Sequence, residues 1–144
     1  MEIQRASPLS FLILITLELL STPHARASDS YACLRYEPVS LTGTMVRHTY
    51  PGPPDYESFS KDRPQTIWVL LLDRSICVDD SDPTYPRVYH EREVQLLVSM
   101  EQYQSYKTLL GKKVIATGEL MHGGARHDKR LVLVVDEMSR APSR

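Results

Sequence analysis

Residues 94–121 read VQLLVSMEQYQSYKTLLGKKVIATGELM, and the alternation of patterns inside this stretch decides the fold. Val94 to Val98 is a short, mostly apolar run that reads as a strand. Ser99 then stands where a helix N-cap is wanted, and Gln102, three positions on, completes a capping box. The helix it opens carries Met100, Tyr103, Tyr106 and Leu110 on one face and is about eleven residues long, because Gly111 supplies the left-handed residue that ends it. Val114 to Met121 is again a strand, and Gly118 inside it fits the coiling that barrel closure requires.

Working outward, Ile67 to Leu72 is continuously apolar and bounded by polar residues, the signature of a central strand. Ile76-Cys77-Val78 continues the sheet after a turn at Asp73-Arg74-Ser75. Val39 to Val46 alternates apolar and polar residues, with Gly43 marking a bulge or sharp coil. Between these strands YPGPPDYESFSKDRP (50–64) is a long loop stiffened by four prolines. Asp79 to Pro86 is a polar excursion, HGGARHDKR (122–130) is a basic hairpin loop, and Leu131 to Val135 is the last strand. Three strands, one short helix and two strands predict a mainly β fold: a small five-stranded OB-like barrel with the helix between strands three and four. A split open sheet with the helix packed on it is the alternative.

The N-terminal segment is set aside from the fold as a signal peptide. Arg5 supplies its basic end, Phe11 to Leu20 its apolar stretch, and Ala25-Arg26-Ala27 the small residues before cleavage at Ser28. Ten residues at 1.5 Å rise cover only about half of a 30 Å hydrocarbon core, so the stretch is too short to span a membrane, and no stable insertion is expected after cleavage. The domain is then 28–144, exported to the periplasm or secreted. Its two cysteines, Cys33 and Cys77, are read as a disulfide in that oxidising setting. A bridge closing a loop of about 45 residues is worth about 4 kcal/mol in the chain-entropy model. Free thiols and a lipid-modified Cys33 are the rivals; the latter lacks an aliphatic residue in Ser30-Tyr31-Ala32.

Seventeen basic against eighteen acidic residues give a net charge of −1, so no general attraction to nucleic acid is expected. No serine sits in a nucleophile-elbow pattern, and adjacent carboxylates such as Asp136-Glu137 point to opposite faces of a strand, so no enzyme and no cofactor is expected. His122 and His127, even with Asp128 or His90, do not make a predictable metal set, and Asp79-Asp80-Ser81-Asp82 lacks the glycine and glutamate of a calcium loop. What remains is binding. The loops between strands one and two and between strands four and five flank the usual binding face of such a barrel. Tyr50, Tyr56, Glu57 and Trp68 are expected to meet Arg126, His127, Lys129 and Arg130 across a groove. Tyrosines give broad amphipathic contact, and arginines grip carboxylate or phosphate in bidentate fashion. The plain alternative is that the prolines and Tyr56 pack the loop on the barrel end and the charges are solvated.

At CLRYEPVSLTGTM (33–45), YPGPPDYES (50–58), RSICVD (74–79) and YKTLLGKKVIATGELMHG (106–123), the chain resembles the exported bacterial family called domain of unknown function 4431. The Pro51 to Ser58 block is the specific part of the likeness. The resemblance implies an envelope domain, in some relatives beside a lysozyme-inhibitor-like segment. The hairpin loop departs from relatives that are richer in consecutive histidines. The expectation is a non-enzymatic exported binding module for an envelope protein, peptide or anionic small ligand. The alternative is an envelope accessory or inhibitor protein acting on a wall hydrolase such as lysozyme.

Overall fold

The structure is a computed structural model that describes residues 33–124 and 129–142. The expected signal peptide, 1–27, lies outside them. Five strands, β1 (Pro38–Pro51), β2 (Pro64–Val78), β3 (Val88–Leu97), β4 (Lys113–His122) and β5 (Leu131–Arg140), are joined by one helix between β3 and β4, α1 (Met100–Tyr106), which continues as a 3-10 turn over Lys107–Leu109. The strands close into a barrel in the order β1-β2-β3-β5-β4. The β3–β5 pairing is parallel and the other four are antiparallel. This is the expected mainly β architecture, with the helix between the third and fourth strands. Among the described residues no helix is long and apolar enough to cross a membrane.

Strand alternation builds the core. Leu41 and Met45 of β1, Leu70 and Leu72 of β2, Val94 and Leu96 of β3, and Leu131 and Leu133 of β5 all point inward into one apolar cluster. The helix end of the barrel is closed through Trp68, 4 % exposed, whose ring stacks on Tyr103 at 4.5 Å between centroids and 15° between planes. The capping box at Ser99 is formed as expected. Gln102 does more than cap: its Oε1 accepts from the Ser99 amide while its Nε2 donates to the carbonyls of Val135 (2.9 Å) and Asp136 (3.2 Å), fastening α1 to β5. The regular helix stops at Tyr106, shorter than expected; its last turn tightens to 3-10 before Gly111 at φ 74°. Met100 is exposed and takes no part in the apolar face predicted for it.

The central feature is β1. Gly43 to Pro51 pairs with β2, whereas Pro38 to Thr44 pairs with β4, so the strand changes partners at Gly43–Thr44. Gly43 is not a bulge; it is in register on both sides, opposite Leu72 and opposite Val114. A Cβ there would lie 2.3 Å from the Leu71 carbonyl oxygen, and one at Gly118 would lie 2.0 Å from that of Val134, beside a register shift between Thr117 and Gly118. Only glycine allows the strands to approach this closely.

Beyond Leu72, β2 leaves β1 and stays with β3 alone. The predicted turn at Asp73-Arg74-Ser75 is instead an irregularity within one continuous strand, since the pairing jumps from Leu71–Glu93 to Ile76–Glu91. The Arg92 guanidinium donates to the carbonyls of Leu72 (3.3 Å) and Asp73 (3.0 Å), residues with no register partner on β3. The segment leading into β1 is tied to the far end of β2. Cys33 and Cys77 form a disulfide with Cα atoms 4.8 Å apart. Leu34 bridges Val78, its amide donating to Cys77 O and its carbonyl accepting from the Asp79 amide.

Two stability changes are expected. Replacing Cys33 and Cys77 together by serine lowers unfolding free energy by about 2–5 kcal/mol, read by urea titration with and without reductant; reductant should lower the native protein and leave the variant unmoved. Gly43→Ala costs about 2–3 kcal/mol by forcing the Leu71 carbonyl away, measurable in the same titration.

Candidate functional site

The loop 52–63 between β1 and β2 is braced from within by one carboxylate. Asp62 is buried, and its oxygens accept from the amides of Glu57 (2.8 Å), Ser58 (2.9 Å) and Asp55 (3.1 Å). The Gly52 amide donates to Arg63 O at 2.8 Å, closing the loop neck. The Ser58 amide above all, and those of Asp55 and Glu57 with it, hold the Asp62 carboxyl below its ordinary value of 3.8 against the opposing effect of burial. At the tip, Tyr56 sits in the left-handed region at φ 60°, uncommon for a bulky side chain. Tyr56 and Phe59 are 57 % and 58 % exposed. The loop is thus a rigid mount for two outward aromatic rings.

At the base of this loop the two expected loops do meet, through Tyr50 and Lys129. The Lys129 ammonium lies 5.4 Å from the centroid of the Tyr50 ring and is paired with Glu93. Burial works to lower the Lys129 pKa, but its contacts with Glu93 and Tyr50 prevail and hold it above the usual lysine value. His48 Nδ1 and Tyr50 Oη are 3.0 Å apart. Arg130 reaches Glu91 at 3.4 Å. The face therefore carries cations that already have carboxylate partners from β3, so it offers a mixed polar surface.

The remaining predicted residues fall differently. Trp68 is not in this groove, because its position in β2 has the parity of Leu70 and Leu72 and turns its ring into the barrel beneath Tyr103. Tyr56 and Glu57 are exposed, and among the described residues neither is bonded to Lys129 or Arg130. Arg126 and His127 lie outside the described residues. His122 stands edge-on to Tyr36, 6.5 Å between ring centroids. Among the described residues no three His, Cys, Asp or Glu side chains are grouped as metal ligands. Asp80 and Asp82 are used locally, Asp80 accepting from the amides of Tyr36 and Asp82, and Asp82 from Thr84.

Residues the sequence reading passed over are Glu91, Glu93 and Gln95 on β3. They share the outward face because Val94 and Leu96 point inward. The signal was present as a period of two in Glu91-Arg92-Glu93-Val94-Gln95, obscured because the strand was expected to be centred further on. Gln95 is buried, and its Oε1 has no hydrogen-bond partner.

The Asp62 brace has a definite pH dependence. A carboxyl whose folded pKa is depressed stabilises the fold fully above its unfolded value and loses that contribution as pH falls through the folded value. The amides of Asp55, Glu57 and Ser58 should therefore stay protected from hydrogen exchange at neutral pH and lose protection only below about pH 3.8. Asp62→Ala should remove that protection at every pH.

No curated protein matches the chain. The match to known families begins within β3, so the Pro51 to Ser58 block lies outside it. Residues 93–139, carrying Glu93, α1, β4, Lys129 and most of β5, match the family described as domain of unknown function DUF4431, the one the sequence resembles.

Proposed function

We propose that the chain is a non-enzymatic, exported binding module that takes an envelope protein, peptide or anionic small ligand on the barrel face between loop 52–63 and the β4–β5 hairpin. One observation carries this reading: Tyr50 at the base of the first loop and Lys129 from the hairpin converge over Glu93. Tyr50 brings an amphipathic ring, and Lys129 and Glu93 bring one charge of each sign, a combination suited to a zwitterionic or peptide group. The bridge between Cys33 and Cys77 supports export, because disulfides persist in oxidising compartments. Periplasmic or secreted placement belongs to the same proposal.

A second reading, an accessory protein that inhibits a wall hydrolase such as lysozyme, is favoured by a different observation. Tyr56 and Phe59 project from a loop that Asp62 holds rigid. Preorganised aromatic anchors lose little entropy on entering a cleft.

The test uses oxidised protein, an envelope extract and purified lysozyme. In the first reading a stoichiometric envelope ligand binds the native protein and is weakened at least tenfold by Tyr50→Ala with Lys129→Ala, in protein that circular dichroism shows to be folded. A ligand retained at full affinity by that variant ends the first reading. In the second, an equimolar amount of protein suppresses lysozyme hydrolysis of cell walls, and Tyr56→Ala with Phe59→Ala restores it. Undiminished hydrolysis with the native protein ends the lysozyme case.

A further inference from the structure

Where β1 and β2 part, the barrel wall opens. The two strands separate at the Gly43–Leu72 pair and diverge, and the Cys33–Cys77 bridge ties the segment leading into β1 to the end of β2. The space between them is not filled by other side chains. It consists of two cavities that share Ser40, Leu41, Arg74 and Ile76. One, about 440 Å³, is walled mainly by carbon: Leu34, Leu41, Ile76, the Cys77 side of the bridge and Tyr89. The other, about 960 Å³, is wider, and its lining includes Arg74, Lys112, Lys113 and Arg140 against a single carboxylate, Asp73. Both volumes are within the range of about 300–1,000 Å³ usual for small-ligand sites.

The charge balance of the wider cavity is lopsided. Asp73 is committed to Lys113 at 2.5 Å. Arg92 adds a further cation behind the wall, donating to the Leu72 and Asp73 carbonyls. Among the described residues the side chains of Lys112 and Arg140 have neither an ion pair nor a hydrogen bond. A chain of net charge −1 has thus placed Lys112 and Arg140 at one opening without matching carboxylates among the described residues. At the loop face, by contrast, Lys129 and Arg130 are both paired.

We propose that this opening is a binding site for a single-chain amphiphile with an anionic head, the tail lying along Leu34, Leu41 and Ile76 and the head facing Lys112 and Arg140. An apolar tail displaces water from the carbon-lined cavity, and a carboxylate or phosphate gains charge-assisted hydrogen bonds at the mouth. Neither part suffices alone: a bare anion leaves the apolar cavity wet, and a neutral amphiphile leaves the cations unmatched. The site shares no residue with the Tyr50–Lys129 face and stands whether or not that face binds anything.

The test is calorimetric titration of the oxidised protein with laurate and with dodecyl phosphate below their micellar concentrations, beside inorganic phosphate and dodecyl maltoside. One equivalent of laurate or dodecyl phosphate is expected to bind at least tenfold more tightly than either control. The tighter of the two identifies the head as carboxylate or phosphate. Lys112→Gln with Arg140→Gln should weaken both anionic probes about tenfold at unchanged Tm. Ser40→Trp, at the junction of the cavities, should block them, while Tyr50→Ala with Lys129→Ala should change nothing. The proposal is overturned if neither anionic probe binds, if dodecyl maltoside binds as tightly, if the Lys112 and Arg140 double variant binds undiminished, or if the Tyr50 and Lys129 variant loses binding.

Discussion

The barrel exists because β1 gives its two halves to two different partners. Its later half hydrogen-bonds to β2 and its earlier half to β4, and the exchange takes place over Gly43 and Thr44. A strand can serve both sides of a closed sheet only if it coils sharply, bringing the neighbouring backbone within reach of where a side chain would begin. The absence of a Cβ at Gly43 permits that approach to Leu71. Closure is thus paired with an opening: the same change of partner leaves the earlier half of β1 and the later half of β2 without each other. The disulfide and the Leu34–Val78 bridge keep that opening from unzipping.

The helix end is governed by a different economy. With only seven residues in regular helix and none of them fully buried, α1 cannot owe its position to a broad apolar face. It is held by point contacts: Trp68 against Tyr103, Gln102 to β5, and the Tyr106 hydroxyl accepting from the Met138 amide at 3.2 Å. Short helices are marginal on their own, and here the capping side chain is also the anchoring one. Order in α1 is therefore coupled to the presence of β5.

Much of the architecture was legible because strand and helix periods are local properties. Ser99, Gln102 and Gly111 marked the helix, and the apolar runs marked the strand centres. Strand ends were less readable. Val88 to Glu93 and Asp136 to Arg140 are polar, and their strand state comes from pairing with β2 and β4, which a local pattern does not contain. The same blindness affected the candidate site. Trp68 drew attention as an aromatic beside a loop, but its parity with Leu70 and Leu72 commits it to the interior. Lys129 and Arg130 were read as available cations because their partners, Glu91 and Glu93, lie more than thirty residues earlier in a strand whose beginning was missed. Asp62 illustrates the complementary case: a charged residue among prolines reads as solvated, yet three backbone amides turn toward it.

Comparing the two openings of the barrel clarifies what net charge hides. At the loop face Lys129 and Arg130 each meet a carboxylate, so their fields are short-ranged and the binding proposed there rests on shape, aromatic contact and exchange of hydrogen bonds. At the fork between β1 and β2 the cations outnumber the carboxylates, and the low-dielectric wall of Leu41 and Ile76 strengthens their attraction for an anion that enters. A chain with nearly balanced totals can therefore neutralise the hairpin cations Lys129 and Arg130 in place while leaving Lys112 and Arg140, at another opening, without an ion pair among the described residues. The distinction follows from where β3 and β4 place their polar residues, and it could be obtained from neither composition nor any single motif.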